Sequence, residues 1–360
     1  MQSAAEEKPF ILAPSTPASK QKSDESSALK IWHWNVNGLK LVLKRKTLQS
    51  FLKVHSPTIL CLNETKLSES DIGEVRKKLS PYFSHMHFAC ATNRRNYSGV
   101  AILYCADKLR EEAYSKASDE EGKGEEQDLY DMDNGDLSVT RGISASEEDR
   151  DLDIEGRVIA KEFATFILVS VYTPHSGVGD LKRLDYRVER WDRAFEAYIN
   201  RLKEQTGKSV IVCGDLNIIR HEQDIYNPKT KGGRPGLTDR ERNSFEQILS
   251  NCDLQDSFRK LYPLRMLVYS HWTDRCGIAR KNNWGSRMDY FLSSGELKAR
   301  VRDVKYQSQI EGSDHCPVTL ELRYQSDLKK IDVEENLAAK QDEEQRDSSD
   351  KEEEVGMAEK

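Results

Sequence analysis

The sequence predicts an α/β fold in which two mostly antiparallel β-sheets pack face to face with helices outside. Three observations carry this. Short runs of β-branched and aromatic residues recur along the chain and outnumber the helical patterns. The helical patterns fall between those runs and carry one apolar stripe each. Nearly every run ends in, or starts from, a cluster of polar residues, as strands do when their ends reach a sheet rim.

The runs Leu29–Val36, Thr58–Leu62, Gly99–Tyr104, Val158–Glu162, Phe166–Tyr172, Ser209–Cys213, Arg287–Leu292 and Pro317–Leu322 read as strands. Leu39–Val54 reads as the first helix. In Tyr186–Leu202 the residues Trp191, Phe195, Tyr198 and Leu202 recur at helical spacing. Thr238–Asn251 opens on Thr238 and Glu241, a capping-box pair, and continues with Phe245, Ile248 and Leu249 on one face. No internal repeat is visible.

Of 360 residues, 1–28 read as a disordered leader, 29–323 as one folded catalytic unit and 324–360 as an acidic disordered tail. Segment 111–155 reads as an acidic loop inserted in the folded unit. The formal net charge of −6 conceals a division. The insert carries 17 acidic and 4 basic residues, and 331–360 carries 12 acidic and 4 basic. Residues 29–110 and 156–330 together hold 44 basic and 28 acidic residues, an excess of 16 positive charges. A field of that sign attracts a polyanion. No stretch approaches the roughly 18–20 apolar residues of a spanning helix, so no membrane is expected as partner. The N-terminus carries Glu6 and Glu7 without an apolar core, so no secretory signal is expected. Seven widely spaced cysteines without a C-x-x-C pair read as buried, reduced thiols.

Six polar patches gather at strand ends: Trp34–Gly38, Asn63–Thr65, Tyr172–His175, Gly214–Asn217, Arg287–Tyr290 and Gly312–Pro317. Among them are Glu64, Asp215, Asp289, Asp314 and His315. Carboxylates without cysteine ligands suit a hard divalent ion such as Mg2+, and an oxygen-bound ion suits phosphodiester hydrolysis. No histidine pair has zinc-ligand spacing, and neither G-x-x-x-x-G-K-[ST] nor G-x-G-x-x-G occurs. A histidine used beside phosphate needs an orienting acceptor, for which Asp289 is the candidate. Arg287 is the alternative partner of Asp289.

The strings WNVNGLK at 34–40, ILCLNETKL at 59–67, YSGVAI at 97–102, DIEGRVI at 153–159, VYTPHSG at 171–177, RLDYRVERWDRAF at 183–195, CGDLNI at 213–218, NPK at 227–229, SRMDYFL at 286–292 and GSDHCPVTL at 312–320 carry a resemblance. The chain resembles the exonuclease III family of apurinic/apyrimidinic endonucleases, of the endonuclease/exonuclease/phosphatase fold, over 29–323 less the insert. The resemblance implies a four-layered α/β sandwich and Mg2+ as cofactor, with Mn2+ as a substitute. The implied metal ligands are Glu64, Asn37, Asp215, Asn217, Asp314 and His315. Asn35, Tyr172, Asn217 and His315 would touch the scissile phosphate. Tyr172, Asp215, Asn217, Asp289 and His315 form the implied catalytic set, with either Asp215 or His315 as base.

His175, Lys231, Arg234, His271, Arg275, Trp284 and Met288 are the implied DNA contacts. Two departures stand out. Asn37 replaces an acid that some members carry, and His271 stands where an aromatic usually opens the abasic slot. The implied activity is hydrolysis of duplex DNA 5′ to an abasic site. Mainly 3′→5′ exonuclease and 3′-phosphodiesterase action is the alternative, and an inactive scaffold is a reading of a different class. The implied partners are double-stranded DNA with abasic or 3′-blocked lesions, and repair-pathway proteins. The chain is expected to be a nuclear monomer.

Overall fold

A computed structural model describes residues 28–109, 138–228, 233–273 and 277–324. Two six-stranded sheets stack face to face. The first runs β11-β12-β1-β2-β4-β3 and the second β5-β6-β7-β8-β10-β9. In the first sheet β1 (Leu29–Asn35), β2 (Ile59–Asn63), β3 (His85–Ala89) and β4 (Val100–Tyr104) join β11 (Val301–Tyr306) and β12 (Val318–Leu322). The second holds β5 (Val139–Arg141), β6 (Val158–Glu162), β7 (Phe166–Tyr172), β8 (Ser209–Asp215), β9 (Leu254–Asp256) and β10 (Asp289–Ser294). Each sheet has one parallel pair, β1 with β2 and β7 with β8, and is otherwise antiparallel. The two sheets therefore share one strand order, a repeat of topology that the sequence does not display.

Alternation along the strands decides what faces what. Ile31, Ile59, Cys61, Ile211, Cys213, Phe291 and Leu320 meet in the core between the sheets. Trp32, Trp34, Leu60 and Leu62 face outward beneath α1 (Leu39–Lys44), α2 (Thr47–His55) and α3 (Glu69–Leu79). Val169, Val212 and Tyr290 face outward beneath α4 (Asp192–Thr206) and α5 (Asp239–Asn251). The α/β sandwich expected from the sequence is thus present.

Four strands escaped the sequence reading, namely β3, β5, β9 and β11. They are short or charged edge strands whose apolar signal is weak. The helix expected over Leu39–Val54 is two helices, broken at Lys46 with φ 60°. Leu39, Val42 and Leu43 are buried in one, and Leu48, Phe51 and Leu52 in the other. At about 100° per residue, Leu48 would lie half a turn from Leu39 in a straight helix. The break brings both stripes onto the sheet. The Tyr186–Leu202 helix opens with a π-helical turn over Tyr186–Trp191 and runs on to Thr206.

The end of the acidic insert, expected as loop, is part of the folded body. β5 pairs with β6, and a 3-10 turn covers Glu147–Leu152. Its carboxylates have partners. Asp153 accepts from Ile143 N and Ser144 N, Asp151 pairs with Arg190, and Glu155 with Arg157 and Arg183. A count of charges cannot tell such paired acids from solvated ones. Residues 110–137, the leader through residue 27 and the tail from 325 lie outside the described residues. Among the described residues no helix is long and apolar enough to cross a membrane, and the described cysteines are free thiols.

Candidate active site

β1 and β2 run parallel, as do β7 and β8, while β12 lies antiparallel to β1 and β10 to β8. The ends of the first four and the approaches to the last two therefore reach one rim. That rim collects Asn35, Asn63, Tyr172 and Asp215 from strand ends, Asp289 from a strand start and His315 just before β12. Because alternate residues share a face, His33 and Asn35 both point from the first sheet toward the second. His33 meets Asp289 there, and Asn35 meets Asp215.

Asp215 is held from three directions. Its Oδ2 accepts from Asn35 Nδ2 at 3.0 Å, and its Oδ1 from Asn217 N at 3.0 Å. Its own amide donates to Asn63 Oδ1 at 2.8 Å. Gly214 makes the approach possible, since a Cβ there would lie 1.7 Å from Val171 O. Asn35 Nδ2 also donates to Glu64 Oε1 at 3.1 Å, tying the two carboxylates together.

Asp289 is fully buried between two imidazoles. His315 Nδ1 stands 2.7 Å from Oδ2, and His33 Nε2 stands 2.7 Å from Oδ1. The Asp289–His315 pair expected from the sequence is present. Arg287, the alternative partner, instead joins Asp224 and Asp256 in a separate buried ion cluster. His315 Nε2 faces Asp215 Oδ2 at 3.7 Å.

Asn37, Glu64 and Asn217 have φ of 47°, 48° and 47°. Each strand end thus passes into a left-handed residue that turns the chain across the rim. Asn adopts this conformation more readily than Glu, and the Glu64 backbone is held there by its surroundings: Gly38 N donates to Glu64 O at 2.8 Å.

Burial sets the electrostatics, and neighbours decide the outcome. Burial raises the Asp215 carboxyl to about 7, with Asp289 and Glu64 adding to the rise and His315 opposing it. Burial opposes ionisation of Asp289, but His315 and His33 outweigh it and hold the carboxyl far below its usual range. Burial likewise opposes the charge on His315, yet Asp289, Asp215 and Asp314 raise the imidazole to about 10. Glu64 is pushed up by burial but held low by the Lys66 ammonium and by hydrogen bonds from Lys66 and Asn35. Burial, followed by Glu64 and Asp215, raises the Tyr172 phenol well above its usual value.

Two places suit a cation. Lys66 Nζ lies 2.8 Å from Glu64 Oε2 and also donates to Asn37 Oδ1. An ammonium thus sits among oxygen donors, as a small hard ion would, and this donor set fits Mg2+. Asn37 Nδ2 in turn donates to Asp314 Oδ1 at 3.0 Å. Beside it, His271, Asp314 and His315 form a cluster able to hold a metal. Asn217 Nδ2 is occupied by Thr173 O at 2.8 Å.

The expected DNA contacts divide. His271 joins the rim, its ring 4.5 Å from that of His315, and burial followed by His315 lowers it to about 4. Met288 is buried with Ile219, Ile225 and Leu237. Trp284 is 44% exposed and stacks on Tyr226 at 5.8 Å. Arg234 is exposed, and His175 Nδ1 accepts from Gly177 N at 3.0 Å. Lys231 and Arg275 lie outside the described residues.

The sequence reading gave no role to His33, Asn63, Lys66 or Arg187. Arg187, inside the RLDYR string, is buried and donates to the carbonyls of Pro174, Leu216 and Asn217. It pins the two loops that carry His175 and Asn217. Strand alternation is the signal that would have found His33, an inward polar residue two places before Asn35.

Two stacked sheets with carboxylates, an acid-bound histidine and an oxygen-lined cation place at one rim define a class built for phosphoester chemistry. The chain belongs to the Endonuclease/Exonuclease/phosphatase family, whose sequence profile matches residues 32–315. It is 36% identical over 292 residues to an exodeoxyribonuclease of Bacillus subtilis, covering 81% of this chain and 98% of that protein. It is 36% identical over 299 residues to the DNA repair nuclease APEX1 of Danio rerio, covering 83% of this chain and 84% of the relative. The AP endonuclease LMAP of Leishmania major superposes with a TM-score of 0.69 at 27% identity, covering 87% of this chain and 93% of that one.

Proposed function

We propose that the protein is a Mg2+-dependent phosphodiesterase of DNA base excision repair. In this reading it hydrolyses duplex DNA 5′ to an abasic site and leaves a 3′-hydroxyl. The observation that carries the reading is the single rim on which Asn35 binds both Glu64 and Asp215 while His315, braced by Asp289, faces Asp215 at 3.7 Å. The relatives whose names state DNA repair or DNA cleavage support the substrate class. The basic excess of the patterned chain supports a polyanion.

Glu64 and Asn37 would hold Mg2+, with Asp314 completing the acidic floor and Asp215, Asn217 and His315 on the same rim. An ion held there would supply positive charge to offset that on the phosphoryl oxygens. Asp215 receives the proton of the attacking water at its carboxylate. Its raised proton affinity suits a base near neutral pH, and its fixed oxygens aim it. In this reading His315 keeps its proton and donates from Nε2 to the phosphate, and Asp215 is the base; the raised proton affinity of the imidazole supports that division of roles. Asp289 holds the His315 ring through Nδ1. Tyr172 keeps its phenolic proton and donates it, with Arg157 lying 4.7 Å over its ring. Asn35 and Asn217 orient the groups that meet the phosphate. The protein would act in the nucleus as a monomer, beside other repair proteins, with Mn2+ able to replace Mg2+.

A second reading, 3′→5′ exonuclease and 3′-phosphodiesterase action, has one specific observation in its favour. His271 makes the wall beside His315 polar where a sugar without a base would prefer an apolar slot. The test is a comparison of two duplexes, one with a single internal abasic analogue and one with a recessed 3′-phosphoglycolate end. The first reading expects faster cleavage of the abasic duplex. Faster removal of the 3′ block and of normal 3′ nucleotides would transfer the assignment to the second.

A further inference from the structure

Two surfaces of different chemistry meet at Asp314. On one side Glu64 Oε2 and Asn37 Oδ1 offer oxygen alone to the Lys66 ammonium. On the other stand two imidazoles. One ligand atom each from His271, Asp314 and His315 lies within 4.8 Å of the other two.

These three residues are held as a built site is held. His271 exchanges both backbone hydrogen bonds with Ser286 at 2.9 Å. Trp272 N donates to Asp314 O at 2.9 Å, fixing the chain on the other side. His315 Nδ1 is engaged by Asp289, which leaves Nε2 and gives the carboxylate–imidazole pairing that orients histidines toward metals. Asp314 takes its hydrogen bonds from Asn37 and Ser313 on Oδ1. A cavity of ≈ 760 Å³ lined by His271, Asp314, Arg280 and Lys281 gives solvent access.

We propose that His271, Asp314 and His315 form a second cation site, selective for a nitrogen-preferring divalent ion of the Zn2+ class, and that filling it silences His315. Two imidazoles and one carboxylate match such an ion and not Mg2+, and three protein ligands leave one position for water or a phosphate oxygen. Metal–nitrogen bonds of about 2.0–2.1 Å require the ligand atoms to close further, which rotation of the half-buried His271 side chain supplies. The ion takes the place of the His315 Nε2 proton, which goes to solvent. His315 then has no hydrogen to give the phosphate. The silencing rests on the proposed phosphodiesterase reading, whereas the binding does not.

The test titrates Zn2+, and separately Mg2+, into the metal-free full chain by calorimetry, and records the absorption of the Co2+ complex. Wild type should bind one Zn2+ and give a Co2+ spectrum without thiolate charge transfer. His271→Phe, and His271→Gln as a second variant with circular dichroism to verify folding, should bind Zn2+ at least about 10-fold more weakly. Glu64→Gln should retain Zn2+ binding and lose Mg2+ binding. Equal Zn2+ affinity in both folded His271 variants, no Zn2+ binding by wild type, or a thiolate band would overturn the site. In the presence of saturating Mg2+, Zn2+ should inhibit DNA cleavage by wild type at about 10-fold lower concentration than by the His271 variants. Undiminished cleavage with Zn2+ bound would overturn the silencing. Absence of cleavage under all conditions would count against the phosphodiesterase reading and leave the calorimetric result standing.

Discussion

Asp289 is the residue on which the polar rim turns. Its two oxygens serve two histidines, one from each side, and both contacts are fully buried. His33 Nδ1 is buried without a partner, a cost that its bond to Asp289 offsets. Removing His33 frees the Asp289 carboxylate to rotate and loosens the His315 ring. His33→Leu is therefore expected to lower kcat on duplex DNA by about 10-fold with little change in KM. It should also move the His315 Nδ1 proton resonance of the metal-free protein. An unchanged resonance and unchanged kcat would remove His33 from the site. The Asp289–His315 link was legible because a histidine beside a phosphate requires an acceptor. His33 and Lys66 were not, because each lies in a run whose neighbours supply a simpler explanation, an apolar strand for one and a charged turn for the other.

At the scale of elements, strands with strong apolar character were legible almost to the residue, as in Val158–Glu162 and Phe166–Tyr172. Those that carry charge were not. In β11 Arg302, Asp303 and Lys305 interrupt the apolar run, and the strand is recognised only through its pairing with β12. The helix α5 was legible from its capping box, in which Thr238 Oγ1 accepts from Glu241 N at 3.2 Å. The helix α3 has a similar box that the sequence reading passed over. The Ser68 hydroxyl donates to Asp71 Oδ2 at 2.7 Å and Ser68 N does so at 2.9 Å, and these bonds, followed by Lys40, lower the Asp71 carboxyl to about 2. A depressed folded-state value means that Asp71 contributes stability above its unfolded value of about 3.9 and loses it as pH falls toward 2. Wild type should therefore lose more stability than Asp71→Asn across that acid window in denaturant titrations. Parallel loss in the two proteins would show that the box contributes nothing there.

For the whole molecule, the sandwich was legible from the count and character of its strands, but the shared strand order of the two sheets was not. That order lives in pairings between distant segments, and no sequence similarity between the halves reports it. The rim follows from it, because parallel neighbours end, and antiparallel neighbours begin, on the same side. Charge acts at this scale too. A patterned body with 44 basic and 28 acidic residues should bind duplex DNA with marked salt dependence. Residues 111–137 carry 11 acidic and 2 basic residues, so their deletion is expected to raise DNA affinity at low salt. Unchanged affinity would show that this acid does not compete with DNA. Carrying the deletion on to residue 155 would instead remove β5 and the Glu155 ion pairs, and with them folded structure. The central claim is that Asp215 and the braced His315 act on one phosphorus, and its most direct measurement is the single-turnover, Mg2+-dependent cleavage of a duplex with one internal abasic analogue by wild type and by folded Asp215→Ala. The account predicts incision by wild type and a loss of about 10²–10⁴-fold in the variant; equal rates in the two proteins would contradict it.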